Sequence, residues 1–146
     1  MQEFTPPIYP KNKTDIDAIM ALLRNSFLTK NLTHKEIKII ADAMFLKTYK
    51  AGDVIIRYGE MGEEYYVLKE GTIDVIVYKD GTKPNDPELD SKILRTKNLP
   101  AGVGFGELAL LYNDKRTATV KAAQDCQVWA LEGKVFKNII IKQAIA

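Results

Sequence analysis

The sequence of 146 residues has one cysteine, one histidine and one tryptophan. Cys126 has no partner for an internal disulfide, which fits a reducing compartment. His34 stands alone, although a hydrolytic metal centre needs a cluster of histidines and carboxylates. The chain also lacks a Ser-His-Asp set, a Walker lysine loop and the motifs by which kinases hold ATP and magnesium. We therefore expect no catalytic residues, no catalytic cofactor and no metal site.

Long apolar segments are also missing. The sequence has no run of 18 apolar residues, and its amino terminus lacks the apolar core of a signal peptide. The sequence has twenty-one Lys and Arg residues and nineteen Asp and Glu residues, for a net charge of +2, and the basic residues are scattered along the chain. These features predict a cytoplasmic protein that binds neither nucleic acid nor membrane. The length fits one domain.

The first part of the chain favours helices. Residues 1–13 hold three of the six prolines and are predicted to form an extended leader. The helical part of the domain should span residues 14–45. Thr14 to Asp17 has the spacing of a capping box and predicts a first helix to about Arg24, and Thr33 with Glu36 predicts the start of a second.

Short strands separated by glycines are predicted for residues 46–131. The polar segment 79–92 should be an exposed hairpin loop. A final helix is predicted within residues 132–146, and the whole of 14–146 is expected to be one domain. Trp129 and Cys126 are expected to be buried in the core. The candidate strands are 46–49, 54–58, 65–70, 72–78, 93–98, 117–122 and 127–131.

The most informative segment is 105–120, FGELALLYNDKRTATV. Gly106 allows a tight turn and close approach of a ligand to the backbone. The residues from Glu107 to Tyr112 favour a short helix, whose first N–H groups form an anion site, and small Ala109 leaves these amides accessible. Arg116 can bind two phosphate oxygens with its planar fork. Glu107 needs hydrogen-bond donors beside such a site, and a sugar hydroxyl would supply one.

This segment resembles the phosphate-binding cassette of the cyclic-nucleotide-binding domains in cyclic-nucleotide-dependent protein kinases. The resemblance continues through AGDVIIRYGEMGEEYYVLKEGTIDVIVY before it and VWALEGKVFKNII after it. It implies an α+β fold, in which an eight-stranded antiparallel β jelly roll carries N-terminal helices, a short cassette helix and a C-terminal helix. In that family the site binds a ligand and relays the signal to a kinase.

The resemblance also implies roles for single residues. Glu107 would bind the ribose 2′-hydroxyl, Arg116 would bind the phosphate, and Asp74 would orient Arg116 from behind. Without the resemblance, Glu107 and Arg116 could instead form a surface ion pair, and Asp74 could be an ordinary strand carboxylate. The implied cyclic-nucleotide-binding residues are Gly106, Glu107, Leu108, Ala109, Arg116, Thr117 and Ala118.

Thr117 bears on the identity of the base. Family members that depend on cGMP usually have Thr at this position, whereas regulatory subunits of the cAMP-dependent kinase usually have Ala. A hydroxyl here can reach the amino group of a syn guanine, a bond of about 1 kcal/mol that biases selectivity about tenfold. Thr117 is also an ordinary strand residue. The sequence therefore predicts a domain of a cGMP-dependent serine/threonine kinase.

That prediction places the ligand as cGMP and the kinase catalytic domain in cis. The alternative is cAMP bound by a regulatory subunit of the cAMP-dependent kinase, with the catalytic subunit in trans. A more distant alternative is a family member that has lost its ligand. Because the chain ends at Ala146, before the helix that caps the base in this family, we expect it to be part of a longer protein.

Overall fold

The computed structural model describes residues 5–107 and 114–145. The expected cassette helix from Glu107 to Tyr112 lies almost wholly outside these residues. The α-helices among the described residues are α1 (Lys13–Asn25), α2 (His34–Ala43) and α3 (Gly133–Ile145). The eight strands are β1 (Phe45–Tyr49), β2 (Val54–Ile56), β3 (Glu64–Glu70), β4 (Ile73–Tyr78), β5 (Ile93–Leu99), β6 (Gly104–Phe105), β7 (Thr119–Ala122) and β8 (Cys126–Glu132).

The caps of the first two helices differ in how well the sequence predicted them. Helix α2 begins with the expected capping box: Thr33 accepts from the Glu36 amide, and Glu36 accepts from the Thr33 amide. The expected cap of α1 at Thr14 is wrong. Asn12 caps this helix instead, because its side-chain oxygen accepts from the Asp15 amide at 2.8 Å.

The strands form two antiparallel four-stranded sheets, in the orders β1-β8-β3-β6 and β2-β7-β4-β5. This arrangement confirms the predicted eight-stranded jelly roll with flanking helices. Strand β6 was absent from the predicted strands, because a two-residue strand is too short to show alternation. Strand β7 begins at Thr119 rather than at Thr117, since its pairing with β4 starts where Thr119 meets Ile76.

Two apolar clusters fill the domain. One lies between the helices and the sheet that contains β3 and β8, where Leu23, Ile40 and Phe136 pack near Trp129. The other lies between the two sheets and includes Cys126. Both predicted core residues are therefore buried. No helix among the described residues has the length and apolar character needed to cross a membrane.

The loop between β4 and β5 folds back onto the turn after β2. The hydroxyl of Tyr58 donates to the carbonyl oxygen of Thr82 at 2.5 Å. Pro84 lies against Gly59, where any Cβ would overlap the proline ring, and Gly59 has a φ of +87°. The loop ends in a 3₁₀ helix, Leu89–Lys92. The predicted hairpin loop is thus present, and part of it supports the β2–β3 turn.

Candidate functional site

The backbone of Arg116 is fixed by the turn that joins β2 to β3. Its N–H donates to the carbonyl oxygen of Glu60 at 2.7 Å, and its carbonyl accepts from the Gly59 amide at 2.9 Å. Gly59 is the residue on which Pro84 rests. The arginine therefore starts from a backbone held on both sides, which limits the directions its side chain can take.

The guanidinium of Arg116 is held by two backbone carbonyl groups. Nη1 donates to the Gly106 oxygen at 3.2 Å, and Nη2 donates to the Glu64 oxygen at 2.6 Å. Burial lowers the pKa of Arg116, while Tyr66 and Glu64 act in the opposite direction. No acidic side chain of the described residues forms a salt bridge with it. Guanidinium remains cationic in proteins and has five N–H donors, so charge and donors remain for an anion.

Gly106 is required next to this guanidinium. Its φ is +80°, a conformation that other residues rarely adopt, and an added Cβ would lie 2.8 Å from Arg116 Nη1. The predicted role of Gly106 was close approach of the backbone to a ligand. The structure adds another reason for glycine here, which is the close approach of the arginine.

A cavity of about 260 Å³ opens beside Arg116 and brings together most of the predicted site residues. Glu107, Thr117 and Ala118 all line it together with Arg116 and Gly106. Leu108 and Ala109 lie outside the described residues. Its apolar wall, which sequence patterns did not assign to a site, consists of Ile56, Val75, Phe105 and Val120. Polar groups at one end and an apolar wall are typical of small-molecule sites.

Arg116 also borders a larger cavity of about 770 Å³ between the β2–β3 turn and the start of α3. Four carboxylates and four cations line that cavity, and the smaller cavity has two of each, so the balance of charge does not separate the two. The smaller cavity is the better candidate because the predicted site residues Gly106, Glu107 and Thr117 line it and do not line the larger one. The carboxylates of the larger cavity belong to Glu60, Glu63, Glu64 and Glu132.

Asp74 does not reach Arg116 in this structure. Its carboxylate accepts from Asn98 Nδ2 at 2.9 Å on the neighbouring strand, and its partner on β7 is Lys121. The orienting role implied for Asp74 therefore stays a prediction. The groups that do hold Arg116 are the backbone carbonyls of Glu64 and Gly106. Sequence patterns gave no sign of them, because every residue carries a carbonyl.

The described residues contain no group of His, Cys, Asp and Glu side chains that would hold a metal ion. His34 is exposed, and its Nδ1 lies 2.8 Å from Nη2 of Arg24. The thiol of Cys126 donates to backbone oxygens, and burial raises its pKa, which keeps it protonated.

Comparisons with known proteins agree with the geometry of the site. A family model described as "Cyclic nucleotide-binding domain" matches residues 46–143. A cAMP-dependent protein kinase regulatory subunit of Blastocladiella emersonii is 34% identical over 134 residues, which is 92% of this chain and 31% of that protein. The chain thus spans about a third of the length of this relative.

Solved structures also show similarity to regulatory proteins of the cAMP-dependent kinase. A structure of cAMP-bound PfPKA-R has a TM-score of 0.77 and 36% identity, covering 93% of this chain and 45% of that one. The regulatory domain of Toxoplasma gondii PKA with cAMP has a TM-score of 0.72 and 32% identity, covering 90% and 47%. These relatives favour the cAMP-dependent alternative and do not support the expected cGMP-dependent kinase.

Proposed function

This chain belongs to the cyclic nucleotide-binding domain family, and from that membership we propose that it is a cAMP-binding domain that regulates a protein kinase catalytic subunit in trans. The observation that carries the proposal is the cavity in which Arg116 lies together with Glu107, Gly106 and Thr117. A cation and a carboxylate at one cavity match a ligand that has a phosphate and a free hydroxyl.

In this proposal the two ionised side chains have separate tasks. Arg116 binds the phosphate of the cyclic nucleotide through N–H donors that the Glu64 and Gly106 carbonyls leave free. Glu107 accepts a hydrogen bond from the ribose 2′-hydroxyl. The apolar wall around Val75 and Phe105 contacts the remainder of the ligand. The predicted amides of Leu108 and Ala109 complete the phosphate site.

A second candidate ligand is cGMP, and the observation that favours it is Thr117. This residue lines the cavity beside Arg116, where its hydroxyl can meet a guanine amino group. The relatives named above favour cAMP. One hydrogen bond of this type changes selectivity only about tenfold, so the general similarity to cAMP-dependent proteins outweighs it in our proposal.

The signal would leave the site through Arg116 and α3. Arg116 borders both the ligand cavity and the larger cavity that Gly133, Lys134 and Lys137 of α3 line. A ligand that binds the guanidinium in the smaller cavity would neutralise part of its charge and so change the balance of charges in the larger cavity. Ligand binding would thereby favour one packing of α3 over another, which is a population shift.

Calorimetric titration of the chain with cAMP and with cGMP tests the proposal. Arg116→Ala should weaken binding of both ligands about 100-fold, because loss of a charge-assisted pair corresponds to roughly 3 kcal/mol. Arg57→Ala is the control, since Arg57 is 62% exposed and lies outside the smaller cavity. Equal affinities of wild type and Arg116→Ala would contradict the assigned site.

A further inference from the structure

The hydroxyl of Tyr65 is buried without a hydrogen-bond partner among the described residues. Tyr65 lies on β3, its side chain is 2% exposed, and its ring belongs to the cluster between the helices and the barrel. Buried hydroxyl groups are nearly always paired, because losing water without a replacement is unfavourable. A solitary one in a ligand-binding domain calls for a functional explanation.

Gly104 makes room for this hydroxyl. A Cβ on Gly104 would overlap the Tyr65 oxygen and lie 2.9 Å from the ring carbon that bears it. Gly104 lies on the short strand β6, directly before Phe105 and Gly106 of the candidate site. The glycine therefore lets the phenol reach the strand that leads to Glu107.

Tyr65 also lines a cavity of about 570 Å³ between α1 and β6, although its hydroxyl oxygen is almost fully covered. The wall from α1 and the turn after it is largely apolar, and the Asn25 amide is already bonded to Ala21. Glu107 is the single acidic side chain among the described residues that line this cavity. Glu107 also lines the smaller cavity beside Arg116, so it lies between Tyr65 and the site proposed for the ligand.

The phenol is a hydrogen-bond donor over the physiological pH range. Burial raises the pKa of Tyr65 to about 12; Ser26 lowers it, and the charge of Glu107 raises it. The phenol therefore stays protonated, and it lies close enough to Glu107 for the charge of that carboxylate to affect its pKa. Ser26 is the competing neighbour, because its side chain lies near enough to the phenol to lower that pKa, but the contact does not have the geometry of a hydrogen bond.

We propose that Tyr65 is the positioning residue for Glu107 in the ligand-bound state: its hydroxyl, unpaired in this structure, then donates to the carboxylate and directs it at the ribose 2′-hydroxyl. The inference rests on the proposed function, because it assigns Glu107 the ribose. An ionised carboxylate accepts several hydrogen bonds at once. One donor behind it therefore leaves oxygen lone pairs free for the ligand and reduces the number of orientations that the side chain samples.

The test compares cAMP with 2′-deoxy-cAMP. Tyr65→Phe removes only the hydroxyl, and we expect it to weaken cAMP binding about fivefold, the effect of one hydrogen bond. Binding of 2′-deoxy-cAMP should stay unchanged, because that ligand gives Glu107 nothing to hold. Tyr9→Phe, on the N-terminal leader, is the matched control, and Ser26→Ala should leave both affinities unchanged.

A double-mutant cycle supplies a second measurement. In a Glu107→Ala background, Tyr65→Phe should have no further effect on cAMP, because the acceptor is gone. A loss in Tyr65→Phe that is equal for the two ligands would show a general structural role and overturn the inference. Unchanged cAMP affinity would overturn it as well.

Failure of the proposed function gives a different pattern. If wild type binds neither ligand, or if Arg116→Ala binds as wild type does, the site assignment is wrong and this inference with it. If Arg116→Ala loses binding but Tyr65→Phe does not distinguish the ligands, the site stands and only the role of Tyr65 is wrong.

Discussion

Arg116 Nη2 donates to the backbone carbonyl oxygen of Glu64 at 2.6 Å, across 52 positions of sequence. The cation of the candidate site is thus held by the peptide backbone of β3, and mutation of the Glu64 side chain cannot remove that acceptor. A ligand meets an arginine whose direction is already set.

The first prediction concerns Arg116→Lys in the absence of ligand. Lysine keeps the charge but has no planar fork to bridge the Glu64 and Gly106 carbonyls. We expect the free energy of unfolding, measured in denaturant, to fall by about 1–2 kcal/mol. Arg57→Lys on the surface should change it by less than about 0.5 kcal/mol. Equal stability of the two variants would argue against the carbonyl contacts.

Thr117→Ala tests the identity of the base. The variant should weaken cGMP binding about five- to tenfold and change cAMP binding by no more than about twofold, since adenine has no exocyclic amino group at that position. Competition of the two nucleotides for the same site measures both. Thr96→Ala, on the exposed part of β5, is the control. An unchanged ratio of affinities would remove Thr117 as a selectivity residue.

Tyr58→Phe tests the support from the β4–β5 loop. Losing the hydrogen bond to Thr82 should loosen the loop over Gly59 and hence the turn that binds the Arg116 backbone. We expect faster hydrogen exchange of the Arg116 amide and about threefold weaker binding of both cAMP and 2′-deoxy-cAMP. Full amide protection in the variant would show that the turn does not depend on the loop.

Gly104→Ala tests the contact with Tyr65. The added Cβ would overlap the phenol, and we expect the free energy of unfolding to drop by about 1–3 kcal/mol. Tyr65→Phe should restore part of that loss, because it removes the nearest atom. Gly52→Ala has open space around its Cβ and differs only in its φ of +92°, so Tyr65→Phe should not rescue it. Equal rescue of both would contradict a specific clash.

The pH dependence of stability follows from the same phenol. The pKa of Tyr65 is about 12 in the folded chain, above the ordinary value of 10. The raised pKa means that the phenol of the unfolded chain loses its proton at a lower pH than the phenol of the folded chain. The contribution of Tyr65 to the free energy of unfolding is therefore complete below pH 10 and is lost as the pH rises toward 12. Unfolding measured over this range should be less pH-dependent in Tyr65→Phe. An identical dependence would mean that Tyr65 titrates normally.

The sequence predicted features that depend on local patterns. The capping box at Thr33, the glycine before Glu107 and the alternation of most strands are each visible within a few residues. The family pattern added the proximity of Glu107 to Arg116, which lie in one cavity. These parts share one property: the side chains themselves carry the information.

Features that depend on backbone atoms or on distant segments were not predicted. The carbonyl groups that hold Arg116 cannot be recognised in the sequence, because every residue has one. The cap at Asn12 was missed because Thr14 to Asp17 has the spacing of a capping box. The preference for cGMP relied on one hydroxyl at Thr117. A single polar group contributes too little free energy to decide the ligand, and in our proposal the similarity to cAMP-dependent proteins outweighs it.

Strand β3 places neighbouring side chains in different cores. Tyr65 and Val67 belong to the cluster beneath the helices, whereas Tyr66 and Leu68 belong to the cluster inside the barrel. A slip of this strand by one residue would exchange the two sets and disrupt the packing of both clusters at once. We therefore expect the helices and the barrel to share one melting transition and the domain to unfold as a single cooperative unit.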